Sequence, residues 1–282
     1  MKSAIESAIL NPQSAILPTA AIITRMAQAV AITRAVSAAL AACELTHQTR
    51  VPIDVEVARA QHRAYEAALA TAGYRVEHLE ADADMPDSVF VEDVAIVFDE
   101  LAILARPGAD SRRREVPAIA AALAAYRPLQ EIQPPATVDG GDVLLAGRHV
   151  FVGRSTRTNQ AGVTQIRRIL GPFGYTVVET DVRECLHLKS AVTALGDDRL
   201  LVNPRWIDRA AFAGFTLVAI APEEPEAANV LRLAERIVAA SAFPRTAERI
   251  AALGLVVETV DASELAKAEG AVTCCSLIVV GH

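Results

Sequence analysis

Five chemically capable residues recur along this chain at near-even intervals. Asp93, Asp139, His187, Asn229 and Cys274 are separated by 46, 48, 42 and 45 residues. Each stands at the edge of a small-residue or β-rich run: Val89-Phe90-Val91-Glu92-Asp93, Val138-Asp139-Gly140-Gly141-Asp142, His187-Leu188-Lys189-Ser190, Ala227-Ala228-Asn229-Val230 and Thr273-Cys274-Cys275. A fixed period of roughly 20–50 residues marks repeated supersecondary units, which bury their apolar faces against one another. The expected architecture is α/β: a ring of ββαβ-type units whose equivalent strand ends converge on one axis. Residues far apart in sequence would meet there.

Apolar runs place strands at Ala29–Arg34, Val89–Phe98, Leu101–Ala105, Val143–Leu145, His149–Val152, Tyr175–Val178, Ala191–Ala194, Leu200–Val202, Thr216–Ile220, Leu253–Val257 and Cys275–Val280. Helices are expected at Asp54–Ala72, Ser111–Ala125, Thr158–Leu170, Glu226–Ala240 and Pro244–Ala252. Pro117 suits a first turn, so the second helix has an alternative start near Val116. Turns at Asp99-Glu100 and Gly147-Arg148 join two strands before a helix. Such hairpins argue against the strict βαβ alternation of a doubly wound sheet.

With 52% apolar and 22% charged residues, the chain can build a sizeable core. A net charge of −7 argues against a nucleic-acid partner. Cys43, Cys185, Cys274 and Cys275 are too few for a disulfide framework, so a reducing, cytoplasmic setting is expected. No His/Cys set has zinc spacing; neither a metal nor a cofactor is expected. No linker divides residues 28–282, which read as one domain. The apolar segment 1–27 is interrupted by Glu6, Pro12, Pro18 and Arg25, so it reads as an extension without signal peptide or membrane span.

An acid, an imidazole and a thiol are what hydrolysis of a guanidine or amidine needs. Cys274 is the candidate nucleophile, since a thiolate responds to nearby positive charge and a bound guanidinium supplies it. His187 is the candidate acid and base, able to protonate a leaving amine and then deprotonate water. Strand alternation points the Cys275 side chain to the opposite face.

The residues also resemble a known family. The stretches are Pro86-Asp87-Ser88-Val89-Phe90-Val91-Glu92-Asp93, Ala105-Arg106-Pro107-Gly108-Ala109-Asp110-Ser111-Arg112-Arg113 and Val138-Asp139-Gly140-Gly141-Asp142-Val143-Leu144. Arg157-Thr158-Asn159-Gln160, Leu186-His187-Leu188-Lys189-Ser190 and Thr273-Cys274-Cys275-Ser276 follow in order. Together they resemble dimethylarginine dimethylaminohydrolases of the pentein, or five-bladed α/β-propeller, superfamily. The resemblance implies hydrolysis of N-omega-methylated L-arginine to citrulline and an alkylamine through a covalent intermediate on Cys274. The alternative is an arginine-deiminase-like hydrolase of unmethylated arginine or another guanidino acid.

By the same resemblance, Asp139 orients His187 and Asp93 is a guanidinium partner. Asp87 and the backbone near Val36 meet the α-amino group, and Arg112 and Arg157 clamp the carboxylate. Glu92, Phe90 and Ala268 complete the binding set, and a homodimer is implied. Segment Ser37–Asp54, with Cys43-Glu44-Leu45-Thr46-His47, departs from the family pattern where a lid is implied. The Ala268-Glu269 pair departs too. Both departures bear on which guanidine is accepted.

Overall fold

In the computed structural model, residues 29–196 and 198–281 are described. The extension read at 1–27 and His282 lie outside them. Among the described residues the strands form five separate three-stranded sheets. In the first, β1 (Val30–Arg34) lies between β2 (Arg75–Leu79) and β15 (Leu277–Val279), so both ends of the described chain share one sheet. The others follow in chain order. They are β3 (Ala95–Val97), β4 (Ala102–Leu104) and β5 (Leu129–Glu131); then β6 (Val143–Ala146), β7 (His149–Arg154) and β8 (Thr176–Asp181). Next come β9 (Val192–Ala194), β10 (Arg199–Val202) and β11 (Thr216–Ala219), then β12 (Val230–Leu233), β13 (Arg236–Ala240) and β14 (Val256–Val260).

In every sheet the middle strand is antiparallel to one neighbour and parallel to the other. A parallel partner demands a crossover. Helices α1 (Val55–Thr71), α2 (Val116–Leu123), α3 (Gln160–Leu170) and α5 (Pro244–Ala251) supply four of these. Asp54 starts α1 by accepting the backbone N–H groups of Glu56 and Val57 at 3.0 and 3.1 Å. Pro117 sits in the first turn of α2, as its fixed φ allows. Two single-turn helices, α4 (Leu188–Ala191) and α6 (Ser263–Ala266), lie just after His187 and shortly before Cys274.

Apolar side chains cluster between neighbouring units. Val163, Ile166 and Leu170 of α3 pack with Val143, Val150 and Val152, and with Ile103 of the preceding sheet. One edge strand from each sheet (β3, β6, β9, β12 and β15) contributes to the wall of a single cavity of about 310 Å³.

Four expectations are corrected. Glu226–Ala240, expected as a helix, is the β12–β13 hairpin, with Val230 paired to Ala239. Val230, Leu233 and Ile237 fit a helical stripe equally well, but the chain reverses at Ala234, whose φ is +51°. β2 and β5 were not anticipated because Arg75-Val76-Glu77-His78-Leu79 and Leu129-Gln130-Glu131 are polar, half-exposed edge strands. The runs Val89–Phe98 and Cys275–Val280 are strand only in part, since Val91–Val94 and Thr273–Cys275 form 3₁₀ turns. The strand expected at Leu253–Val257 starts at Val256, after a left-handed turn at Gly254 (φ +85°).

Candidate active site

The five periodic residues all occupy the turn just before an edge strand. Cys274 lies before β15, Asp93 before β3, Asp139 before β6, His187 before β9 and Asn229 before β12. This corrects the reading of Cys275 as the first strand residue, since it belongs to the 3₁₀ turn Thr273–Cys275. Cys275 does point elsewhere, but because of the 3₁₀ turn and not strand alternation. Its Sγ donates to Ala271 O at 3.5 Å within the apolar core.

His187 is buried between two carboxylates. Its Nε2 is 3.1 Å from Asp139 Oδ2 and its Nδ1 is 3.7 Å from Asp93 Oδ1. Asp139 is fixed in turn by the Gly108 N–H on Oδ1 at 2.8 Å, and its own N–H donates to Thr158 Oγ1 at 3.1 Å. Gly141 lies against the imidazole so closely that a Cβ there would stand 2.6 Å from Nδ1. A Cβ on Gly140 would stand 1.9 Å from Glu92 O. The glycine pair is therefore a packing requirement of the site.

The electrostatics oppose a resting thiolate–imidazole pair. Burial alone would lower the His187 pKa, but the charge of Asp93, the bond to Asp139 and the charge of Asp142 lift it to about 9. The Cys274 thiol is pushed well above its ordinary range by burial first, then by the negative charges of Asp93 and Glu92. The resting site thus holds a neutral thiol and an imidazolium. Burial raises Asp139, but its bond to His187 and the imidazolium charge outweigh that and lower it.

Asp93 has two different oxygens. Oδ2 accepts Arg112 Nη1 at 2.5 Å, while Oδ1 is buried with no hydrogen-bond partner among the described residues. Arg112 is itself buried, giving Nε and Nη2 to Glu115 at 3.2 and 2.8 Å and Nη2 to the Asp87 and Phe90 carbonyls. A buried cation between two carboxylates holds Asp93 in place. The carboxylate clamp expected of Arg112 is therefore already engaged with protein groups.

The other expected residues divide. Cys274, His187, Asp87, Phe90, Asp93, Arg112, Arg157 and Ala268 line one enclosed cavity of about 20 Å³, together with Glu44, Leu186, Glu269 and Gly270. That volume holds about one water. Val36 is not among them; it is buried in the apolar core, and its carbonyl accepts Arg59 Nε at 3.4 Å. Glu92 lies beneath the cavity, accepting Lys189 Nζ at 2.6 Å and Thr273 Oγ1 at 2.7 Å. The segment 37–54 does cover the site. The Glu44 N–H donates to both Asp87 oxygens at 3.2 and 3.1 Å, and Arg157 Nη2 donates to Thr46 Oγ1 at 2.9 Å.

Sequence reasoning missed the supports. Asn229 Nδ2 donates to Thr273 Oγ1 at 3.0 Å and to Lys189 O at 3.1 Å, and Asn229 Oδ1 accepts the Thr273 N–H. Asn229, Thr273, Glu92 and Lys189 thus fasten the nucleophile's turn from below. Asp142 accepts Leu188 N at 2.9 Å and Ser155 Oγ at 2.6 Å, which sets α4 and the His187 backbone. Burial lifts its pKa to about 6. The even spacing of Asn229 and the second aspartate of Asp139-Gly140-Gly141-Asp142 were the available signals.

Ligand atoms of Asp93, Asp139 and His187 lie within 4.8 Å of one another, which would suit a small cation. A proton held on His187 to about pH 9 opposes that use, because a metal ligand must be deprotonated.

A buried thiol, an imidazolium on a carboxylate and a second carboxylate with an open oxygen form the group set of a covalent cysteine hydrolase acting on a cationic carbon. The family model described as N,N dimethylarginine dimethylhydrolase, eukaryotic, matches residues 44–275. The dimethylarginine dimethylaminohydrolase of Streptomyces coelicolor is 41% identical over 249 residues, covering 88% of this chain and 95% of that protein. The Pseudomonas aeruginosa enzyme is 38% identical over 226 residues, covering 79% and 89%. A solved structure of a cysteine-to-serine mutant of that enzyme, complexed with citrulline, superposes with a TM-score of 0.82 at 35% identity, covering 88% of this chain and 98% of that one. The N-terminal domain of ArgZ, an arginine dihydrolase, shares the fold with a TM-score of 0.82 at 19% identity. The chain belongs to the dimethylarginine dimethylaminohydrolase family.

Proposed function

We propose that this chain hydrolyses N-omega-methylated L-arginine to L-citrulline and an alkylamine. The observation that carries the reading is the open Oδ1 of Asp93, buried beside His187 in the cavity that Cys274 lines. A buried carboxylate oxygen without a hydrogen bond is costly, and a guanidinium N–H satisfies it with a charge-assisted bond. Relatives of this chain support the substrate: Streptomyces coelicolor and Pseudomonas aeruginosa proteins named for dimethylarginine, and family structures holding citrulline and an S-methyl-L-thiocitrulline adduct.

The chemistry follows from the resting charges. A bound guanidinium neutralises the field of Asp93 that raises the Cys274 thiol, so substrate itself favours the thiolate. As the guanidinium binds, the Cys274 thiol gives up its proton to solvent, and Sγ attacks the guanidinium carbon. The His187 imidazolium then gives its proton to the departing nitrogen, the C–N bond breaks and the alkylamine leaves. The neutral imidazole takes a proton from water, whose oxygen attacks the thiouronium carbon. The C–S bond breaks as the new hydroxyl's proton passes to the sulfur, and citrulline and the resting thiol are released while the alkylamine takes up the proton lost to solvent. Asp139 holds the ring, Asp87 and Arg157 meet the α-ammonium and carboxylate, and Phe90 and Ala268 line the pocket. Arg112 positions Asp93, and Glu92 supports the nucleophile's turn.

In this reading the five sheets are blades of a propeller around a pseudo-fivefold axis, since one edge strand from each lines the central cavity. Residues 28–282 form the catalytic domain. Its four free thiols suit a reducing, cytoplasmic setting, and a homodimer completes the reading. Among the described residues no helix is long and apolar enough to cross a membrane. A citrulline assay over arginine, mono- and dimethylated arginines and guanidines lacking the α-amino acid tests the substrate. Turnover of methylated arginines above arginine is expected; preference for arginine would favour the deiminase alternative.

A further inference from the structure

One carboxylate holds three consecutive backbone N–H groups of the covering segment. Glu269 Oε2 accepts Thr46 N at 2.9 Å, and its Oε1 accepts His47 N and Gln48 N at 2.5 and 2.6 Å. Successive N–H groups form an anion-binding concavity, and bonds to an ionised acceptor are the stronger kind. Glu269 adopts a left-handed backbone, φ +57°, which side chains disfavour. It is kept there by its own N–H on Ala266 O and the Gly270 N–H on Leu265 O, both at 3.0 Å. A strained conformation persists where its surroundings over-determine it.

The held segment reaches into the site at two points. Thr46 Oγ1 meets Arg157, and the Glu44 N–H meets Asp87. These are the side chains assigned above to the two ends of the α-amino acid. The cavity beside it is about 20 Å³, smaller than an arginine-sized ligand, so the position of the segment bears on the room such a ligand finds. Glu269, His47 and Gln48 also wall an adjoining cavity of about 280 Å³.

We infer that Glu269 is a positioning residue: it docks residues 46–48 so that Thr46 and Glu44 set Arg157 and Asp87 for the α-amino-acid end of the substrate. The inference rests on the methylarginine reading. It acts on capture and not on bond breaking, so its loss raises KM more than it lowers kcat.

Glu269→Gln, Glu269→Ala and Thr46→Val are compared with the full wild-type chain in steady-state kinetics and in trypsin cleavage after Arg50, the trypsin site within segment 37–54. Glu269→Ala is expected to raise KM about 10-fold or more with kcat within about 3-fold, as losing a charged hydrogen-bond acceptor predicts. Cleavage after Arg50 should accelerate at least about 10-fold by the same loss. Glu269→Gln, which keeps a neutral acceptor, should lie between; it carries the test if the alanine variant does not fold. Thr46→Val should raise KM without faster cleavage, since its backbone N–H remains. An unchanged KM, or a fall in kcat alone, overturns the positioning role; unchanged cleavage in both Glu269 variants overturns the docking. If the wild-type chain makes no citrulline, the methylarginine reading fails and takes the catalytic role with it, while the cleavage arm still decides the docking.

Discussion

A neutral Cys274 beside a protonated His187 sets what the site can do at rest. Because the His187 pKa is about 9, its acid form is available across neutral pH and is lost above that value. The kcat/KM for citrulline formation, which reports the free enzyme, should therefore fall as pH rises through about 9, and a pH–kcat/KM profile checks it. The same shift is a stability statement. The folded pKa lies above the ordinary value of about 6.5, so the imidazolium stabilises the fold fully below that pH and the contribution is lost as pH rises through about 9. Urea denaturation of wild type and His187→Gln at both ends of that window should show the difference shrinking. Asp93→Asn should raise KM by about 10- to 100-fold, the loss of one charge-assisted bond, in an assay of initial rates; an unchanged KM removes Asp93 from the guanidinium site. Cys274, His187, Asp93 and Asp139 were all legible in the sequence as residues. Their charge states were not, because these depend on burial and on neighbours as distant as Glu92 is from Cys274. Val36 entered through the resemblance and for its backbone, and its carbonyl accepts Arg59 Nε, a partner no local pattern announces.

At the scale of elements, the active residues share one local device, a turn that delivers a side chain just before an edge strand. Turns of this kind have weak periodicity, which is why Val91–Val94 and Cys275 were read as strand. The hairpin Val230–Ala240 was read as a helix because apolar spacing alone fits both, and pairing with β14 decides it. Edge strands β2 and β5 take their conformation from β1 and β4 and carry little pattern of their own. The Gly140-Gly141 turn has a sharper consequence. A Cβ on Gly141 would meet His187 Nδ1 at 2.6 Å, so Gly141→Ala must displace the ring. A misplacement of about 1 Å costs about 100-fold in rate. The loss should appear in kcat while far-UV circular dichroism stays unchanged; full activity would show that the ring position is not critical.

The whole molecule works by closing on itself. Sheet pairing of β15 with β1 brings the nucleophile's end of the chain to the start of the fold, and Cys274 thereby lines one cavity with Asp93 and His187 from two other units. The near-even spacing in the sequence carried this much: five units and one meeting point. It did not carry the ion pair that spans the units beneath that point, because Lys189 looks like an ordinary surface charge in its own segment and Glu92 was read as a binding residue. Both line the central cavity and lie 2.6 Å apart. Lys189→Met would leave Glu92 without its cation, and breaking a buried pair costs about 3–5 kcal/mol; partial contact with the cavity puts the expectation at the lower end. Urea midpoints measure it, and a loss below about 0.5 kcal/mol would mean the pair does not tie the units together.

The central claim is that Cys274 forms a covalent bond to the guanidinium carbon. Peptide mass spectrometry of acid-quenched His187→Gly protein, incubated with S-methyl-L-thiocitrulline, whose methanethiol leaves without a general acid, tests it most directly. The account predicts an adduct on the peptide containing Cys274 and Cys275 that persists in Cys275→Ser and vanishes in Cys274→Ser. An adduct that survives Cys274→Ser, or citrulline formed at wild-type rate by that variant, would contradict it.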